Sequence, residues 1–134
     1  MIKWTPALAV GHAVIDSQHQ ELFRRLEALL TAMMKGDKAE IGRLFDFLGA
    51  YVVEHFGAEE RLMQQHAYPD AAMHKAAHQR FVADYTALKK SLDASGGAGG
   101  AALTIKVQNW CGDWLKAHIA GTDQALAAFL GKRA

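Results

Sequence analysis

The stretch "HFGAEERLMQQHAYPDAAMHKAAH", His55 to His78, holds four of the chain's seven histidines, and its reading decides the fold. Pro69 suits the first turn of a helix and disfavours helical geometry at Tyr68, so "HAYPD" separates two helical blocks. Upstream, Ile41, Phe45, Leu48, Val52, His55, Glu59 and Leu62 follow alternating steps of four and three, the seam of a helix that buries one stripe. Downstream, His74, His78, Phe81, Tyr85, Leu88 and Leu92 repeat the pattern. Residues that water would solvate therefore lie on faces that a helix buries.

The same pattern extends outward in both directions. A first block opens after Asp16 or Ser17, with Gln20 placed to complete a capping box on Ser17, and Gly36 ends it after Lys35. Its seam is His19, Leu22, Phe23, Leu26, Leu30 and Met33. Asp37 and Glu40 have capping-box spacing at the start of the second block. A fourth block carries Val107, Cys111, Trp114 and His118, and a short helix is expected around Gln124 to Leu130. The expected chain is one domain, 1–134: an arm (1–16), helices over about 17–35, 38–65, 70–92 and 103–120, and a Gly-rich connection (93–102) that is flexible by composition. No segment reads as a strand. Two short links and one longer one predict an all-α, antiparallel up-down-up-down four-helix bundle with an N-terminal arm and a short C-terminal helix.

Composition narrows the function. A formal charge of +1 with interleaved acids and bases points neither to nucleic acid nor to an anionic membrane as partner. Cys111 is the single cysteine, which excludes an intramolecular disulfide and reads as a small buried apolar residue. The N-terminus is too short and interrupted in its apolar run for a secretion signal, and no segment approaches the ~20 apolar residues of a membrane span. A cytoplasmic monomer without membrane insertion is expected and, from the short tail beyond Asp123, one without an attached signalling or transmembrane module.

Alternating helix directions bring His19, His55, Glu59, His74, His78 and His118 to one end of the bundle, within about 15 Å along its axis at about 1.5 Å per residue. His55 with Glu59, and His74 with His78, each share one helix face, so each pair is able to clasp a metal. Asp123 follows His118 by five, which points about 140° away on a regular α-helix; it joins only if the helix widens to a π-type turn or ends there. Five imidazoles and two carboxylates are too many for one zinc and suit two octahedral ions that share the carboxylates and leave one position open. A metal-free bundle paired by hydrogen bonds is the competing reading, and five converging histidines with two acids argue against it. His12 and His66 fall outside the seams and read as loop or surface residues. Glu60 reads as a solvated helix residue, and Gly57 either gives clearance near the metals or is tolerated drift.

These residues resemble the hemerythrin family along essentially the whole chain: a Trp then "VGHAVIDSQH" (Val10 to His19), "HFGAEE" (His55 to Glu60), "YPDAAMHKAAH" (Tyr68 to His78) and "WLKAHIAGTD" (Trp114 to Asp123). Members of that family are among the known up-down-up-down bundles, so topology and resemblance are one expectation and not two. The resemblance implies two iron ions, Fe2+ when oxygen-free and Fe3+ when oxygenated. His74, His78 and His118 would hold one ion, and His19 and His55 the other, whose sixth position is open. Glu59 and Asp123 would bridge them beside an oxo or hydroxo group.

It further implies reversible dioxygen binding for storage, delivery to an oxygen-using enzyme, or sensing, with no catalytic residue. Leu22, Phe56, Trp114, Leu115 and Ile119 each lie within one helical turn of a ligand and would wall an oxygen pocket with apolar groups. Exclusion of water disfavours charge separation there, and no Lys, Arg or Ser stands at these positions as a general acid. A di-iron oxidase, peroxidase or nitric oxide-processing enzyme, and an iron store or sensor, are the competing readings; the histidine-rich set disfavours the enzyme, because oxygen-activating bundles of the ferritin-like type use mainly carboxylates.

Overall fold

Helix α1 (Ala13–Lys35) begins four residues before the expected start, because His12, and neither Asp16 nor Ser17, caps it. The Nδ1 of His12 accepts a hydrogen bond from the Ile15 N–H at 3.3 Å. Asp16 is thereby freed to face backward, where its carboxylate accepts from the N–H groups of Val10 (2.8 Å) and Gly11 (3.2 Å). The arm, which includes one 3-10 turn over Pro6–Leu8, is tied down by a residue that local pattern had marked as a cap. These features come from a computed structural model that describes residues 3–97 and 100–132.

Gly36 ends α1 in the left-handed conformation (φ 73°), and the Asp37 carboxylate caps α2 (Lys38–Gln65) by accepting from the Glu40 N–H, both as expected. At the next link Ala67 takes a positive φ of 52°, where glycine is usual. Tyr68 donates its N–H to the Met63 carbonyl at 2.9 Å and buries its ring against Phe129, 5.0 Å between centroids. That turn sends α3 (Ala71–Ala94) back along α2.

Helix α3 runs two residues past the expected end at Leu92, and α4 (Gly100–Ala117) starts three residues before the expected Leu103. The Gly-rich connection is therefore shorter than its composition suggested, and its Ala98 and Gly99 lie outside the described residues. The fourth expected helix does not stop near residue 120. It passes through a π-type turn, His118–Asp123, directly into α5 (Gln124–Lys132).

Helix α1 packs on α2 and α4, and α2 packs on α3. Aromatic contacts close the ring between α3 and α4: Phe81 lies 4.9 Å from Trp110 and 4.4 Å from Trp114. The bundle is all-α and antiparallel among the described residues, with one hydrophobic cluster along its length. Cys111 is buried in that cluster as a free thiol, and burial pushes its pKa up to about 12, so it behaves as an apolar residue. Among the described residues no helix is long and apolar enough to cross a membrane.

Candidate metal centre

At one end of the bundle the apolar filling gives way to seven polar side chains, His19, His55, Glu59, His74, His78, His118 and Asp123, none more than 5% exposed. Helix α1 supplies His19, α2 supplies His55 and Glu59, and α3 supplies His74 and His78. The π-type turn supplies both His118 and Asp123. An extra residue per turn brings Asp123 round to the face of His118, which a regular helix would deny it.

The five imidazoles aim Nε2 at two carboxylates. Asp123 has His19 Nε2 at 2.8 Å from Oδ2, and His74 and His118 Nε2 at 3.0 and 3.1 Å from Oδ1. Glu59 Oε1 has His78 Nε2 at 3.1 Å and His55 and His74 Nε2 each at 3.5 Å. Yet all four carboxylate oxygens, and Nε2 of His19, His74, His78 and His118, lack a hydrogen-bond partner. Among the described residues, every buried side-chain polar atom without a partner belongs to this cluster, apart from Trp4 Nε1. Folded proteins tolerate few such atoms, each costing about 1–3 kcal/mol, and a concentration of inward-facing imidazole nitrogens and carboxylate oxygens fits a metal ion as their common partner. The atoms fall into two groups of metal-binding type, Glu59, His74, His78, His118 and Asp123, and His19, His55, Glu59 and Asp123, each offering ligand atoms within 4.8 Å of one another.

The proton affinities show the same frustration. Burial, with the neighbouring imidazoles, holds His55 down to about 3 and His78 to about 2, so both are neutral bases at ordinary pH. Burial also opposes a proton on His74, but the carboxylates of Asp123 and Glu59 hold one there up to about 9. Burial raises the Glu59 carboxyl well above the usual range. Asp123 is equally buried, but the imidazoles of His118, His19 and His74 outweigh that and hold it well below.

Leu22, Phe56, Leu115 and Ile119 are buried, and Trp114 is half-buried. The Phe56 ring stacks on His78 at 3.8 Å and lies 5.9 Å from His55, while Trp114 stacks on His118 at 4.3 Å. His12 and His66 stay outside the cluster, as the cap of α1 and the last residue before the turn to α3. Two site residues escaped the sequence reading. Glu60 is no freely solvated residue: its Oε2 lies 3.0 Å from His78 Nδ1. Gln18 Oε1 lies 2.6 Å from His55 Nδ1. The one available signal was adjacency, since Gln18 precedes His19 and Glu60 follows Glu59.

Fold and cluster together define a helical-bundle protein with a buried His/Glu/Asp cluster able to hold metal. The chain belongs to the hemerythrin family: the "Hemerythrin HHE cation binding domain" model matches residues 10–130. It is similar to the bacteriohemerythrin of Methylococcus capsulatus (strain ATCC 33009 / NCIMB 11132 / Bath), 35% identical over 92% of each chain. It is also similar to that of Stenotrophomonas maltophilia (strain R551-3), 31% identical over 95% of this chain and 80% of the relative. A crystal structure of wild-type hemerythrin superposes with a TM-score of 0.84 at 33% identity, covering 97% of this chain and 98% of that one.

Proposed function

We propose that the protein binds dioxygen reversibly at a non-haem di-iron centre. The observation that carries this reading is that two candidate ligand groups share the same two carboxylates, Glu59 and Asp123. That is the arrangement needed to hold two ions side by side, and the unpartnered buried atoms fit such a pair. His74, His78 and His118 would hold one ion and His19 and His55 the other, with Glu59 and Asp123 bridging.

Iron, when bound, supplies reversible one-electron chemistry at each ion and, on the side with two histidines, a position for the gas. The chain's own contribution is to orient and to exclude. The Nδ1 of His55 and of His78 meets an oxygen acceptor, which places the proton there and leaves Nε2 free to face inward. Leu22, Phe56, Leu115 and Ile119 keep water from the cluster, and with it the proton transfer that would convert binding into irreversible oxidation. No lysine or arginine is ion-paired with the cluster among the described residues, so no cationic side chain is placed there as a general acid. This supports a carrier over an oxidase. Storage, sensing, or delivery to an oxygen-using enzyme by a cytoplasmic monomer is the proposed setting.

The test is the visible absorption of the iron-loaded, reduced protein before oxygen, with oxygen, and after its removal. A charge-transfer band that appears with oxygen and disappears without it is expected. A band that decays irreversibly to a ferric spectrum would transfer the lead to the di-iron enzyme reading, and no band would remove the open position.

A further inference from the structure

Of the five ring nitrogens that face away from the cluster, those of His55 and His78 meet a side-chain oxygen, and the two acceptors differ in chemistry. His78 Nδ1 is 3.0 Å from a Glu60 carboxylate oxygen, and His55 Nδ1 is 2.6 Å from a Gln18 carboxamide oxygen. Both acceptors impose the same tautomer, but only Glu60 adds a negative charge. That charge is incompletely screened. The Glu60 side chain is 29% exposed and lies in a groove of about 460 Å³ whose other walls include Val53, Phe56, Gly57 and Val82. Among the described residues, His78 is its only ion-pair partner. The Phe56 ring, stacked on His78 at 3.8 Å and 7°, holds the imidazole in the plane that serves this bond.

We propose that Glu60 and Gln18 are positioning residues that make the two metal positions unequal: Glu60 strengthens the one served by His78, while Gln18 orients His55 without adding charge. A carboxylate behind an imidazole raises its basicity as a ligand, and a carboxamide does so far less. The position with His74, His78 and His118 therefore fills first and carries the more firmly held ion. This rests on the two-ion reading above, and deepens it by assigning the inequality in part to a residue outside the seven.

The test is anaerobic titration of the metal-free protein with cobalt(II) alone, followed by its visible absorption and by calorimetry, with helix content checked by circular dichroism. The wild type is expected to take up two cobalt ions per chain in two resolved steps. Glu60→Gln keeps an acceptor for Nδ1 but removes the charge, and should weaken the tighter step about tenfold while leaving the other within twofold. Gln18→Glu should tighten the weaker step and narrow the gap. Two steps in Glu60→Gln both within twofold of the wild type, an equal loss in both, or a wild type that fills both positions with one affinity overturns the inference and leaves the two-ion reading intact. Fewer than two cobalt ions in the wild type overturns both.

Discussion

Gly49 and Gly57 stand eight residues apart on α2 and look equivalent in the sequence, yet their surroundings oppose each other. A Cβ on Gly49 would come within 2.9 Å of the Tyr85 ring, and that ring is held in place by its hydroxyl, which donates to the Phe45 carbonyl at 2.6 Å. A Cβ on Gly57 would meet only the far end of Arg61, at 3.4 Å. Alanine gains about 1 kcal/mol over glycine inside a helix. Gly57→Ala is therefore expected to stabilise the protein by up to about 1 kcal/mol, and Gly49→Ala to destabilise it despite the same propensity gain. Urea unfolding of the two variants decides this, and a stabilising Gly49→Ala would show that the Tyr85 contact is soft. At this scale six of the seven cluster residues were legible, because a seam is a property of spacing alone; Asp123, five residues past His118, was admitted only on condition of a widened or ending helix. The bonds of Gln18 and Glu60 were not, because spacing does not say which way a side chain off the seam bends.

At the scale of elements, the π-type turn is the structural device on which the site depends. It arises because "HIAGTD" has one residue more than a regular turn needs between His118 and Asp123. Removing the exposed Ala120 leaves the aspartate four residues after His118, on the same face of a regular α-helix, with α5 continuing beyond it. The expected outcome is a variant that keeps the wild-type metal stoichiometry and shows equal or greater thermal stability. Loss of one ion would mean that the wide turn sets a carboxylate position that a regular turn fails to reproduce. The sequence confined Asp123 to a π-type turn or a helix end. The choice between them fell to the packing of α5, whose buried Leu126, Ala127 and Leu130 keep the chain helical past the site. The start of α1 was misread for a related reason: Asp16 is a good cap locally, but the arm competes for its carboxylate and wins.

For the whole molecule, the buried cluster should make the metal-free protein most stable near pH 6.5, the ordinary value for histidine. As pH falls below 6.5, the unfolded chain takes up protons that His55 and His78 refuse in the fold until about 3 and 2, so stability is lost. Glu59 opposes this, keeping in the fold a proton that the unfolded chain has lost above about 4.5. Two protons against one leave a net gain of about 1.4 kcal/mol per pH unit near pH 5, which tapers to nothing towards pH 6.5, where the unfolded histidines lose their own protons. Above 6.5 the sign reverses. His74 keeps its proton up to about 9 in the fold only, so the stability it contributes is lost as pH rises through that value. Denaturation midpoints of the metal-free protein measured from pH 5 to 9 should trace a dome. A steady rise to pH 9 would contradict the ion pairing of His74. Metal should abolish the alkaline fall, because binding releases the protons that the cluster otherwise holds.

By itself the sequence determined the helices, their apolar seams, and that His19, His55, Glu59, His74, His78 and His118 share one end of the bundle, because helical periodicity and short links are local properties that survive without coordinates. Only the tertiary structure decided how the arm is anchored, that the last helix widens and does not stop, and that one imidazole is backed by an anion and another by an amide. Each of these is a contest between partners distant in the chain or between side-chain directions. Such contests are settled by which groups packing brings within about 3 Å of each other, and no spacing rule contains that information.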